Sequence, residues 1–102
     1  SEASKIAEHY KIDTEILFKN ISNCSGDSFS LKNHGLKSIA QDNFPNPAFS
    51  VKYAQKDLSY ALEMANQMGL STPGSTTINN LFSKAIDAGY GDLYFPVIKK
   101  IL

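Results

Sequence analysis

The chain contains no arginine. All ten of its basic residues are lysines, and ten acidic residues balance them to a formal net charge of zero. A nucleic-acid binder draws affinity from a basic surplus that displaces counterions, so this balance argues against one. The guanidinium fork best suited to bidentate phosphate or guanine recognition is missing as well. Cysteine is nearly absent. Cys24 stands alone, which rules out an internal disulfide and fits a reducing compartment, the cytoplasm. No apolar run approaches the roughly 20 residues that span a bilayer, and no signal-peptide pattern is visible. Alternating Val/Ile/Thr runs are missing too, so nothing reads as a strand. What remains is 102 residues, 42% hydrophobic and 20% charged. Those values suit one small globular domain over residues 1–102 with one modest core.

Every apolar pattern repeats at helical spacing, and the chain reads as all-α, a compact bundle of five to six helices. In Ser1–Tyr10, Ala3, Ile6, Ala7 and Tyr10 form one face, with no N-terminal cap signal, as in the last turns of a longer helix. Asp13 is a good cap for a second helix from Thr14 to about Asn23, with Ile16, Leu17 and Ile21 inward. Ser25-Gly26-Asp27 stops it. A third helix is expected from Ser28 to Gln41, with Phe29, Leu31, Leu36 and Ile39 partly buried and Gly35 a point where it can split. Asp42–Phe49, with Pro45 and Pro47, is a loop. Ser50 then caps the strongest element, Val51–Met68. Its stripe is Val51, Ala54, Leu58, Ala61, Leu62, Ala65 and Met68, and Gly69 sits where a left-handed stop is expected. Ser71–Gly74 reads as a turn. A fifth helix over about Thr76–Ala88 buries Ile78, Leu81, Phe82, Ala85 and Ile86, and Gly89 ends it. Asp92 is expected to cap a last helix that carries Pro96 in its first turn.

Few constellations carry chemistry. His9 and His34 have no Cys or second His at ligand spacing, so no metal site is expected. Cys24 reads as a half-buried structural thiol. The glycosylation-like triplets Asn20-Ile21-Ser22 and Asn23-Cys24-Ser25 are read as chance. Gly89-Tyr90-Gly91 is too short for a phosphate cradle, and no strand precedes it. Lys52, Lys56, Ser59 and Glu63 share the polar face of the Val51–Met68 helix. Periodicity alone makes that a solvated face, although a lysine there can lay its stem along the domain and project its ammonium over an edge.

Phe49 through Leu58 reads Phe-Ser-Val-Lys-Tyr-Ala-Gln-Lys-Asp-Leu, followed by Ser59-Tyr60-Ala61 and then Met68-Gly69-Leu70-Ser71-Thr72-Pro73. This resembles the C-terminal domain of the β-hydroxyacid dehydrogenase family, which includes 3-hydroxyisobutyrate dehydrogenase and tartronate semialdehyde reductase. Members share a helix with Lys-Asp-Leu, an alanine three residues on, and a phenylalanine seven before the lysine. A Gly-hydrophobic-x-x-Pro follows that helix. A later Ala-x-x-Gly-x-Gly-Asp turn is similar to Ala85–Asp92. Glu2-Ala3 with Ile12-Asp13, and the turn from Asn23 to Phe29, fit the start of the domain. The likeness covers essentially the whole chain.

The resemblance implies a helical domain like the C-terminal domain of 6-phosphogluconate dehydrogenase-like proteins. It also implies an NAD(P)-dependent oxidoreductase acting on a small 3-hydroxy acid, and a homo-oligomer. In that family a Rossmann domain holds NAD or NADP. The catalytic lysine lies on a long interdomain helix, and neither it nor the Rossmann domain falls within these residues. No catalytic residue is therefore expected here. Lys56 corresponds to a second lysine that reaches into the cleft near nicotinamide and substrate. Phe49 would line that cleft, and Asp57 would fix the helix or orient its neighbours. This chain would then form one wall of the active-site cleft and much of the subunit interface. The competing reading is a stand-alone helical protein-interaction module without catalysis.

Overall fold

The computed structural model describes all residues, Ser1–Leu102. The chain is all-α. Six helical segments follow one another: α1 (Glu2–His9), α2 (Thr14–Ser22), α3 (Leu31–Ile39), α4 (Val51–Gln67), α5 (Pro73–Ala85, followed by a wide turn Ile86–Tyr90 that left-handed Gly89, φ 86, breaks as expected) and α6 (Phe95–Ile101). α3 is π-wound and α6 is a 3-10 helix. Extended pairing is confined to one antiparallel bridge, Ser50 with Tyr94. No helix is long and apolar enough to cross a membrane. The residues group into two compact units, Ser1–Phe44 with Leu102, and Pro45–Ile101.

In the first unit α2 packs on α1 and α3. The side chains of Ala7, Phe18, Ile39 and Phe44 are buried there, with Ser4, Thr14 and Ser38 among them. Asp13 caps α2 as expected, its Oδ1 accepting the Ile16 N–H at 2.9 Å. The face of α1 differs from the expected one. Ser4 and Ala7 point inward, whereas Ala3, Ile6 and Tyr10 are exposed. Buried Ser4 satisfies its hydroxyl on the Ser1 carbonyl at 2.6 Å, which lets a polar residue take an inward position. Ile16 and Phe29 are likewise exposed, Phe29 to 76%. The inward position on α2 belongs to Phe18, whose ring lies over buried Gly35 of α3. Gly35 therefore does not split its helix. It removes a side chain where the ring must approach. The helix is wound wide throughout, and at its end Ala40 N–H bonds to the Gly35 carbonyl five residues back at 2.9 Å.

Two helices end in the same motif with different residues. After α4, Gly69 is left-handed (φ 67), Gly69 N–H reaches Asn66 O at 3.0 Å and Leu70 N–H reaches Ala65 O at 2.9 Å. This is the expected glycine stop. After α1 the same pair of bonds, Lys11 to Glu8 and Ile12 to Ala7, forms around a lysine with φ 58.

In the second unit α4 packs on α5 and α6. Val51, Ala54, Ala65, Phe82, Ala85, Pro96 and Val97 are buried, with Leu58 and Leu62 half-buried. Ala61 and Met68 complete the stripe on paper but are exposed, Met68 to 77%, because α5 and α6 cover a narrower arc than the periodicity allows. Ile78 of α5, expected inward, is also exposed. Ser50 caps α4 through its hydroxyl, which accepts the Tyr53 N–H at 3.3 Å. α5 begins at Pro73, earlier than expected. Ser71–Gly74 is therefore not a free turn. Pro73 takes the first helical position, where its missing N–H costs nothing. Gln55 clasps α4 to α5, its Nε2 donating to Ser83 Oγ at 2.8 Å and to Asn79 O at 3.4 Å.

Candidate functional site

A helix begins with N–H groups that lack intrahelical partners, and an anionic ligand often takes them. At the start of α4 they are already taken. Val51 N–H donates to Leu93 O and Lys52 N–H to Gly91 O, both at 3.0 Å, and Tyr53 N–H donates to Ser50 Oγ. The end of α4 that carries the candidate residues is thus closed to a pyrophosphate and sewn to the segment 91–95. Phe95 N–H adds a bond to Phe49 O at 3.0 Å, and Tyr94 N–H one to Pro45 O at 3.2 Å.

Phe49 stands just before the cap, its ring edge-on to Phe95 with centroids 5.9 Å apart, and 47% exposed. Phe95 in turn meets Tyr94 at 5.3 Å. Lys56 lies two turns further along α4 on the exposed side. Its Nζ is 3.3 Å from Asp57 Oδ1 and rests over two tyrosine rings, 5.3 Å from the Tyr53 centroid and 5.9 Å from that of Tyr60. Helical spacing causes this bracket, since positions three before and four after a residue share its face. Each ring offers its negative face to the ammonium. Tyr53 and Tyr60 were not singled out from the sequence, although their spacing to Lys56 was the available signal. Lys56 and Asp57 are therefore brought together, while Phe49 is held separately against Phe95.

Asp92 was expected to cap the last helix. Its carboxylate instead takes Lys52, with Nζ at 2.9 Å from Oδ1 and 3.1 Å from Oδ2, and α6 begins only at Phe95. Lys52 is consequently not a free lysine of the polar face. Cys24 is exposed rather than half-buried. The histidines lie against rings, His9 on Tyr10 and His34 on Phe29, and no three potential metal ligands converge.

Residues 1–99 match the family model described as "NAD-binding of NADP-dependent 3-hydroxyisobutyrate dehydrogenase". The chain belongs to that family. Among its relatives, glyoxylate/succinic semialdehyde reductase 1 of Arabidopsis thaliana is 36% identical over 61 residues, which are 60% of this chain and 21% of the relative. An uncharacterised oxidoreductase, YkwC of Bacillus subtilis (strain 168), is 34% identical over 89 residues, 87% of this chain and 30% of the relative. The crystal structure of a 3-hydroxyisobutyrate dehydrogenase (ygbJ) from Salmonella typhimurium superposes with a TM-score of 0.90 at 23% identity, over 99% of this chain and 35% of that one. That likeness establishes the helical fold. The chain spans about a third or less of the length of these proteins.

A dinucleotide is the cofactor that the 3-hydroxyisobutyrate dehydrogenase family implies. The closed N-terminus of α4 offers its pyrophosphate no free donors. The exposed ammonium of Lys56 is a donor of the kind that a nicotinamide amide oxygen could accept from.

Proposed function

We propose that these residues form the helical C-terminal domain of a cytoplasmic, homo-oligomeric NAD(P)-dependent oxidoreductase acting on a small 3-hydroxy acid. In this reading they supply one wall of its cleft and part of the subunit interface. The Rossmann domain and the lysine that takes the substrate proton lie elsewhere in the longer enzyme. The observation that carries the reading is the placement of Lys56 within the family-matched residues: an exposed ammonium between Tyr53 and Tyr60 on α4, the helix whose cap Phe49 immediately precedes. When bound, the nicotinamide takes the hydride from the substrate carbon. The residues of this chain position and exclude. Lys56 donates hydrogen bonds to the substrate carboxylate, exchanging Asp57 for it. Asp57 keeps the ammonium in place while the cleft is empty. Phe49 keeps water from the reacting carbon.

The test is Lys56→Ala in the full-length enzyme, assayed on 3-hydroxyisobutyrate. Removing one ammonium from a closed cleft costs about 2–4 kcal/mol of transition-state stabilisation, a loss of roughly 30- to 1,000-fold in kcat/KM. The side chain is exposed, so stability changes by about 0.5 kcal/mol or less. A variant with wild-type kinetics would return Lys56 to a solvated lysine. The isolated 102-residue chain is expected to bind neither NAD nor NADP in the micromolar range by calorimetry. Binding in that range would place the dinucleotide site within these residues.

A further inference from the structure

Gly91 is buried, yet its backbone is ordinary right-handed helix (φ −56, ψ −33), a conformation any residue adopts. Glycine is therefore not required there by its dihedral angles. A side chain added there would meet the stem of Lys52. A Cβ on Gly91 would lie 2.8 Å from Lys52 Cε and 3.3 Å from Cγ. The stem of Lys52 runs across the bare backbone of Gly91, and its ammonium ends on both oxygens of Asp92. Beneath it, Lys52 N–H bonds to Gly91 O and Val51 N–H to Leu93 O. Backbone bonds, side-chain stem and ion pair thus fasten the same two segments, 40 residues apart, at one point. That point lies between Phe49 and Lys56 on the chain.

We propose that Lys52 is a positioning residue. With Gly91 and Asp92 it latches the start of α4 to the Gly89–Leu93 turn, so that Phe49 and Lys56 present one fixed wall. Asp92 also turns the second ammonium of this helix face away from the substrate, leaving Lys56 as the cation that meets it. Both side chains of the pair are more than half exposed, so the latch adds little to global stability. Its effect is on placement, and small misplacements of catalytic geometry are costly in rate.

This inference rests on the reading of Lys56 and Phe49 given above, and the test separates the two. In the full-length enzyme, Lys52→Met keeps the stem and removes the charge, whereas Asp92→Asn removes the acceptor charge. Each is expected to lower kcat about 5- to 20-fold with KM for 3-hydroxyisobutyrate within about twofold, and the double variant to be no worse than either single one. The charge-exchanged double variant Lys52→Glu/Asp92→Lys is expected to recover kcat to within about twofold of wild type. Thermal midpoints are expected to fall by no more than about 5 °C. Wild-type kcat in both single variants would overturn the latch. So would a loss that the exchanged pair fails to recover, since Lys52 would then act through its own charge. Lys56→Ala in the same series reads the other question. If it is silent, the reading of the site fails. If it loses rate while Lys52→Met does not, only the latch fails.

Discussion

Gly35→Ala sets two opposing magnitudes against each other. Gly35 sits inside a helix without a left-handed angle, so alanine there gains helix propensity of about 1 kcal/mol. Against that, its Cβ would meet Phe18 Cδ2 and Cε2 at 3.2 and 3.3 Å and Leu31 Cδ1 at 3.1 Å. Carbon atoms pack best at about 3.5–4.0 Å, so three contacts are each short by a few tenths of an ångström. Leu31 is half-buried and its methyl can turn aside. Phe18 is 3% exposed and has nowhere to go, so the ring or the helix must shift. Overpacking of this kind costs about 1–3 kcal/mol. The net is a loss of about 1 kcal/mol, seen as a drop in Tm of roughly 4–8 °C in a thermal melt followed by circular dichroism. In a Phe18→Leu background the ring edge is gone. The same Gly35→Ala change is then expected to be neutral or stabilising, a coupling of about 1 kcal/mol. A rise in Tm for Gly35→Ala alone would refute the claim that the ring dictates glycine at this position.

Lys11→Gly is expected to raise stability by about 0.5 kcal/mol in a denaturant titration, because the left-handed stop after α1 is the one that glycine fills without strain. Glu15 accepts hydrogen bonds from Lys19 and Gln41, and the lysine bond above all holds its carboxyl below the ordinary value, while Lys19 is raised in return. A depressed carboxyl contributes stability above its unfolded value of about 4.5, and that contribution disappears as pH falls through the folded value. An NMR pH titration is expected to show Glu15 titrating lower in the wild type than in a Lys19→Met variant.

Where the sequence was legible, the determinants were short-range. Asp13 and Ser50 cap the helices they precede, and Gly69 ends α4 with the expected angle. Each feature depends on bonds spanning a handful of residues. The π-wound α3 and the stop at Lys11 have no such signature, since a lysine carries no preference for a left-handed angle. Faces were harder than elements. Ala3, Ile6 and Tyr10 form as good a stripe as any, but what is buried depends on the neighbour, and Ser4 and Ala7 are the residues turned inward. At the candidate site, the Lys-Asp-Leu resemblance led to Lys56, and helical spacing alone contained the tyrosines on either side. The Lys52–Asp92 pair was illegible because it closes across 40 residues, and Asp92 beside a glycine looks like a helix cap until the partner is in view.

The start of α4 borrows its hydrogen-bond acceptors from Gly91 and Leu93. Backbone protons of Val51 and Lys52 therefore exchange with solvent only when the downstream turn lifts away. Deuterium uptake at the first turn of this helix thus reports on the segment 91–93. Most helix starts fray on their own. Here the fraying of residues 51–52 and the opening of residues 91–93 are one event, with one rate and one temperature dependence.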